Sequence, residues 1–397
     1  MADWQTVSLG DALTFQRGFD ITKDEQRDGP YPVISSSGPK TTHAEFKVRG
    51  PGVIIGRKGS LGTVFYSDSD YWPHDTTLWI KDFHGNHPRF AYYFLQTMGF
   101  ERLDAGASNP SLNRNHIHTI PVRFPPLPVQ RRIAGILSAY DELMENSQRR
   151  IRLLEAMART LYREWFVHFR FPGHEKHPRV ASPLGDIPQG WEVKPFTEIA
   201  DVLSGGTPKT DVAEYWDGEI PFFTPRDVPD CFYVQDTDKH TNELGLSKCA
   251  SELYPPDTVF ITARGTVGKV ALPSVPMAMN QSCYALRGKP GIPQRFLFLM
   301  TLQQVDYLKT NTGGATFDTI VVDTFRRMEV VKPARDVVAR FAKKTDGIFE
   351  QVNTLQRQIQ NLRRTRDLLL PRLLSGQVEL ASSSELRQDV AQRKSQR

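Results

Sequence analysis

Cysteine is scarce in this 397-residue chain. Cys231, Cys249 and Cys283 are odd in number and widely spaced, so neither a disulfide framework nor a zinc knuckle is expected. Long apolar runs are missing as well: nothing approaches the roughly 18 consecutive apolar residues of a membrane span. The opening Met1-Ala2-Asp3-Trp4 lacks the charged-then-apolar pattern of a secretion signal. These absences predict a cytoplasmic protein without membrane contact. Catalytic strings are equally thin. Gly59-Ser60-Leu61-Gly62 and Gly265-Thr266-Val267-Gly268 do not continue into a phosphate-binding GxxxxGK pattern, which excludes that kind of ATP site. No Asn-Pro-Pro-Tyr methyltransferase string occurs, and Asn109-Pro110-Ser111 is not one. His84-x-x-His87 and His174-x-x-His177 lack further ligands at metal-binding spacing and read as loop histidines.

What the chain does have is long-range order. Ile133, Leu137, Tyr140, Met144, Ser147, Ile151, Leu154, Ala158, Leu161 and Trp165 step alternately by four and three. Moving 208 residues on gives Phe341, Thr345, Ile348, Val352, Leu355, Ile359, Leu362, Arg366, Leu369 and Leu373, in the same phase. Only Ser147, Thr345 and Arg366 interrupt the two seams. A spacing of 3.5 residues marks helices that pack along a seam on another helix. A repeat this long predicts a molecule built from two equivalent halves. The two helical segments are also the basic part of the chain. Residues 129–171 hold eight Arg against five Asp or Glu, and 335–374 hold nine Arg or Lys against four, whereas the whole chain carries only +5. That excess suits a polyanion or an acidic partner, or simply a solvated helical face.

The segments before each helix repeat too. Both halves begin on a short Trp-led stretch, Trp4-Gln5-Thr6-Val7 and Trp191-Glu192-Val193-Lys194. Ser35-Ser36-Ser37-Gly38-Pro39-Lys40 answers Ser204-Gly205-Gly206-Thr207-Pro208-Lys209. Gly52 to Val64 aligns with Asp257 to Val270, two β-branched runs around a Gly turn that read as a hairpin. His74-Asp75-Thr76-Thr77 then answers Asn280-Gln281-Ser282, and a helical pattern at Arg89–Leu95 answers Gln294–Leu299. A small-residue loop follows in each half, then a last strand into proline, after which the long helix starts. Pro371 is expected to kink or end the second helix in its last turn.

Three stretches carry a family resemblance. They are Pro125-Pro126-Leu127-Pro128-Val129-Gln130-Arg131-Arg132-Ile133-Ala134, the central Leu161-Tyr162-Arg163-Glu164-Trp165-Phe166-Val167-His168-Phe169-Arg170-Phe171-Pro172-Gly173-His174, and Leu369-Leu370-Pro371-Arg372-Leu373-Leu374-Ser375-Gly376. With the plan of variable domain, long helix, variable domain, long helix, the chain resembles the specificity subunit of type I restriction-modification systems. The approach to the second helix departs from the pattern: Lys332-Pro333-Ala334-Arg335 lacks the Pro-Pro-Leu and the Gln of the first. The resemblance implies an α/β (α+β) fold with two similar target recognition domains, residues 1–128 and 173–334. Helical spacers at 129–172 and 335–376 would pack as an antiparallel coiled coil, giving a pseudo-twofold internal repeat, with 377–397 a disordered tail. It implies a DNA-binding, non-catalytic subunit whose two domains each read half of a bipartite double-stranded DNA target. The helices would set the spacing and dock methyltransferase subunits, two of them, which use S-adenosylmethionine. Restriction subunits that use ATP and Mg would join through the complex, and this chain itself would bind no cofactor or metal.

Within the domains, Arg57, Lys58 and Ser60 beside the first Gly turn, and Arg264 and Thr266 in the second, are candidate DNA contacts. So are the loop residues Asn109, Ser111, Asn113 and Arg114, with Thr224, Arg226, Asn280 and Gln281 in the second half. Asn or Gln can pair bidentately with adenine and Arg with guanine; the plainer reading is that such residues cap helices and form turns. The GxxG strings lie between β-branched runs rather than between helices, which argues against a KH site. The helix–helix seam is assigned to Ile133, Leu137, Tyr140, Met144, Ile151, Leu154 and Leu161, and to Ile348, Val352, Leu355, Ile359, Leu362 and Leu369. Two other classes stay open. A metal-dependent nuclease would need Asp28, Glu45 and Lys47, or Asp186, Glu192 and Lys194, to converge. A coiled-coil scaffold would need no DNA contact.

Overall fold

Buried β-branched runs form the centre of each half. Gly52–Gly56 is buried at every position, as is Val259–Thr262, the pattern of a strand covered on both faces. A computed structural model describes residues 4–102, 111–311 and 319–378 of the chain. The expected C-terminal tail lies almost wholly outside these described residues. The contacts divide into two units, one of Met1–Leu143 with Leu362–Arg397, the other of Met144–Asn361.

In the first unit a four-stranded antiparallel sheet runs in the order Thr14–Arg17, Thr77–Asp82, Gly52–Gly56, Val64–Ser67. A three-stranded sheet places Tyr31–Ser35 between Gly38–His43 and, in parallel, Trp72–Pro73. Gln5–Ser8 pairs with Pro121–Phe124. The helix Pro88–Gln96 begins on proline, whose missing N–H costs nothing in a first turn. It buries Phe90, Ala91, Tyr93, Phe94 and Leu95 in the core of this unit.

The second unit repeats the plan. A five-stranded sheet runs Ala200–Ser204, Cys283–Gly288, Val259–Thr262, Val270–Pro273, Tyr233–Val234. Ile220–Phe223 lies between His240–Thr241 and a parallel Ala278–Met279, and Glu192–Pro195 pairs with Glu329–Lys332. The mixture of parallel and antiparallel strands with helices is the α+β arrangement expected.

The first long helix spans Leu127–Tyr162 and passes into a π-turn over Arg163–Val167; the second spans Arg335–Leu374. Pro128 sits in the first turn of the former, where its ring is tolerated, so the helix starts two residues before the expected Val129. Pro371 does not end the latter, which continues to Leu374. Its last turn is held because Leu373 and Leu374 are 3% and 7% exposed in the core of the first unit. Gly376, at φ +75°, then closes the helix.

Of the seam residues, Ile133, Leu137, Met144, Ile151, Val352, Leu355 and Ile359 are buried. Tyr140, Leu154, Leu161, Ile348, Leu362 and Leu369 are half-buried. In the first unit the opening of one helix meets the end of the other, with Asp141 Oδ1 2.6 Å from Arg366 Nη1 and Tyr93 donating to Asp141 Oδ2 at 2.5 Å. In the second, Phe341 lies edge-on to Trp165 and Phe166, with ring centroids 5.5 and 4.9 Å away. Among the described residues no helix is long and apolar enough to cross a membrane.

Candidate nucleic-acid interface

Two glycines with positive φ shape the same turn in each unit. Gly59 and Gly62 stand at +77° and +73°, and Gly265 and Gly268 at +77° and +73°. Such angles are nearly free for glycine and strained for other residues. Gly62 N–H donates to Gly56 O at 2.9 Å, and Gly268 N–H to Thr262 O at 2.8 Å. These are hairpin turns between antiparallel strands, which is not the helix–helix setting of a KH loop.

Around each turn the backbone converges in the same way. Arg57 N–H bonds Thr76 O at 2.8 Å and Leu112 N–H bonds Arg57 O at 2.9 Å, while Lys58 bridges Ser111. In the second unit Ala263 N–H bonds Ser282 O at 2.7 Å and Ile320 N–H bonds Ala263 O at 2.9 Å. His74 N–H reaches Ile34 O, and Asn280 N–H reaches Phe223 O. Thus Arg57, Lys58, Ser60, Ser111, Asn113 and Arg114 gather at one end of the first sheet system. Thr224, Arg226, Arg264, Thr266, Asn280 and Gln281 gather at the corresponding end of the second. Asn109 lies outside the described residues.

Several of these side chains have local duties. Asn113, expected in a loop, caps the short helix Arg114–His118, its side chain accepting from Asn115 N–H at 2.9 Å. Arg114 and His116 therefore lie on a helical turn and are exposed. Thr224 caps the turn Pro225–Asp227 and is bonded to Asp227, leaving Arg226 exposed. Gln281 Oε1 accepts from Thr207 Oγ1. Arg264 and Thr266 are exposed on the second turn, while Arg57 and Lys58 are half-buried on the first.

Residues that sequence reasoning does not single out belong to the same surface. Thr63 Oγ1 donates to Ser36 O at 2.8 Å, and Ser36 N–H donates to Thr76 Oγ1 at 3.3 Å. Arg17 Nη2 contacts Asp75 Oδ2 at 2.8 Å. No motif announces these contacts, because each joins residues tens of positions apart. Among the described residues Asp20, His74 and Asp75 come within metal-ligand reach of one another, but the cation Asp75 faces is Arg17. The nuclease strings do not assemble. Glu45 pairs with Arg27 at 2.5 Å and Lys47 lies over the Trp72 ring; Glu192 does pair with Lys194 at 3.7 Å, but among the described residues Asp186 and Glu192 belong to no cluster of potential metal ligands.

The type I restriction modification DNA specificity domain matches residues 1–156 and 188–360, and the chain belongs to that family. It is 29% identical over 182 residues to the type I restriction enzyme MjaIX specificity subunit of Methanocaldococcus jannaschii, covering 45% of this chain and 41% of that one. It is 22% identical to the HindI specificity subunit of Haemophilus influenzae, across 95% of this chain and all of that one. The crystal structure of a type I restriction-modification S subunit from M. genitalium shares the fold, with a TM-score of 0.63 at 16% identity over 96% of this chain and 97% of that one. The chain is thus a specificity protein for sequence-specific DNA recognition, and catalysis is not its part.

Arg264 offers a direct check on the second turn. If it pairs with a base, Arg264→Ala should weaken binding by about 1–3 kcal/mol at a single target position. Titrations against a set of point-substituted duplexes measure this, and an equal loss on every duplex would make it a phosphate contact.

Proposed function

We propose that each unit reads one half of a bipartite double-stranded DNA target, and that the two long helices fix the gap between the half-sites. The observation that carries this is one backbone frame built twice, with matching glycine angles and hydrogen bonds but different side chains. Duplicated readers on helical spacers suit a split target, as dimers suit spaced half-sites. Exposed arginines on the helices, Arg149, Arg150, Arg152 and Arg159 on one and Arg357, Arg363 and Arg364 on the other, are the surface for methyltransferase subunits, two per chain. Restriction subunits join through that complex. S-adenosylmethionine, ATP and Mg belong to these partners, and this chain binds none of them.

Exchanging residues 1–124 for the corresponding domain of another family member tests the scheme. Methylome sequencing of cells carrying the hybrid with its partner subunits should show one half of the motif changed and the other retained. Loss of both halves would overturn the idea of independent readers.

A further inference from the structure

Arg17 ends the strand Thr14–Arg17 opposite Leu78, at the end of the sheet where Gly56 pairs with Thr77. The backbone there has little freedom. Gly18 N–H bonds Thr77 O at 3.0 Å, Phe19 N–H bonds Pro73 O at 2.8 Å, and a Cβ on Gly18 would stand 2.1 Å from His74 O. The Arg17 side chain is 55% exposed, whereas that of Asp75 is only 18% exposed. Asp75 Oδ1 lies 3.0 Å from His74 Nδ1, and the Asp75 carbonyl oxygen accepts from Arg57 Nη1 at 3.5 Å.

An exposed arginine ordinarily has to freeze a mobile side chain before its planar fork can make directional bonds. Here a carboxylate anchors one nitrogen of the guanidinium, Nη2. The fork has five N–H donors, so Nη1 and the second Nη2 hydrogen remain for two neighbouring acceptors. Guanine presents such a pair, O6 and N7, in the major groove.

We propose that Arg17 reads a guanine in the half-site of the first unit, with Asp75 as its positioning residue. The inference rests on the split-target reading above and adds a base class to one half of it. Among the described residues the matching position of the second unit carries no such pair. Gly205 repeats the close approach of Gly18, a Cβ there standing 2.1 Å from Asn280 O, so Ser204 takes the place of Arg17 and Gln281 that of Asp75. The arginine–carboxylate reader therefore belongs to one half-site only.

The test is selection of bound duplexes from a randomised library by the full chain in its complex with the methyltransferase subunits, comparing wild type, Arg17→Ala and Asp75→Asn. Arg17→Ala should relax preference roughly tenfold or more at one G·C pair in one half-site, leaving the other half-site unchanged. Asp75→Asn keeps the shape but removes the charge, and should relax the same position by a smaller factor. A loss spread evenly over all sequences, with the salt dependence reduced by about one unit of slope, would make Arg17 a phosphate contact and overturn the proposal. So would unchanged preferences in Arg17→Ala, or relaxation at different positions in the two variants. If wild type selects no split sequence, the two-reader scheme falls and this inference with it. If it selects one that Arg17→Ala leaves intact, this inference alone falls.

Discussion

Phe341→Ala should lower the stability of the second unit by about 3–5 kcal/mol, the usual result of emptying a closely packed aromatic site. Phe341 is fully buried, and Tyr162, Trp165, Phe166 and Phe296 all place rings within 6.1 Å of its own. These rings come from both long helices and from the helix Gln294–Asn311, so the cavity has walls that cannot close together. Urea unfolding followed by tryptophan fluorescence would register the change. A loss below about 1 kcal/mol would mean that the cluster repacks.

Glu155→Gln should do the opposite, and only above acid pH. Glu155 is 7% exposed on the first long helix, and burial pushes its carboxyl up to about 7. The Phe232 N–H, which it accepts at 2.6 Å, and the Arg159 charge pull it partly back. A raised carboxyl favours the folded state below the unfolded-state value of 4.5, and that contribution disappears as pH climbs to 7. Over that interval the loss amounts to about 3 kcal/mol. Glutamine keeps the acceptor for Phe232 and never ionises. The variant should match wild type near pH 4.5, and by pH 8 exceed it by up to about 3 kcal/mol. Urea titrations at the two pH values measure the gap, and equal stabilities at pH 8 would show that water reaches the carboxylate.

The helices are legible in the sequence because a 3.5-residue apolar period is a local signal that survives over ten turns. The π-turn at Arg163–Val167 is not, since nothing in Arg163-Glu164-Trp165-Phe166-Val167 departs from a helical pattern. The paired hairpins are visible in their β-branched runs and glycines. Strand order is hidden, because Thr14–Arg17 finds its neighbour at Thr77–Asp82, about sixty positions away, and local pattern does not encode such pairing. Arg17 escapes a sequence reading for the same reason: an arginine at a strand end looks like any surface arginine until Asp75 is beside it. Asn113 and Thr224 show the converse, since their capping bonds account for residue types that read equally well as base readers.

The first unit is assembled from the two extremes of the chain. Leu9, Leu13 and Phe15 share a core with Leu373 and Leu374, and Gly376 rests against the Trp4 ring. During synthesis this core is therefore completed only after residues 144–361 have been translated. At 5–20 residues per second that delay is on the order of 10–50 s. Throughout that time the helix Pro88–Gln96 and the start of the first long helix already cover much of this core, and only the apolar patch awaiting Leu373 and Leu374 stays open to water.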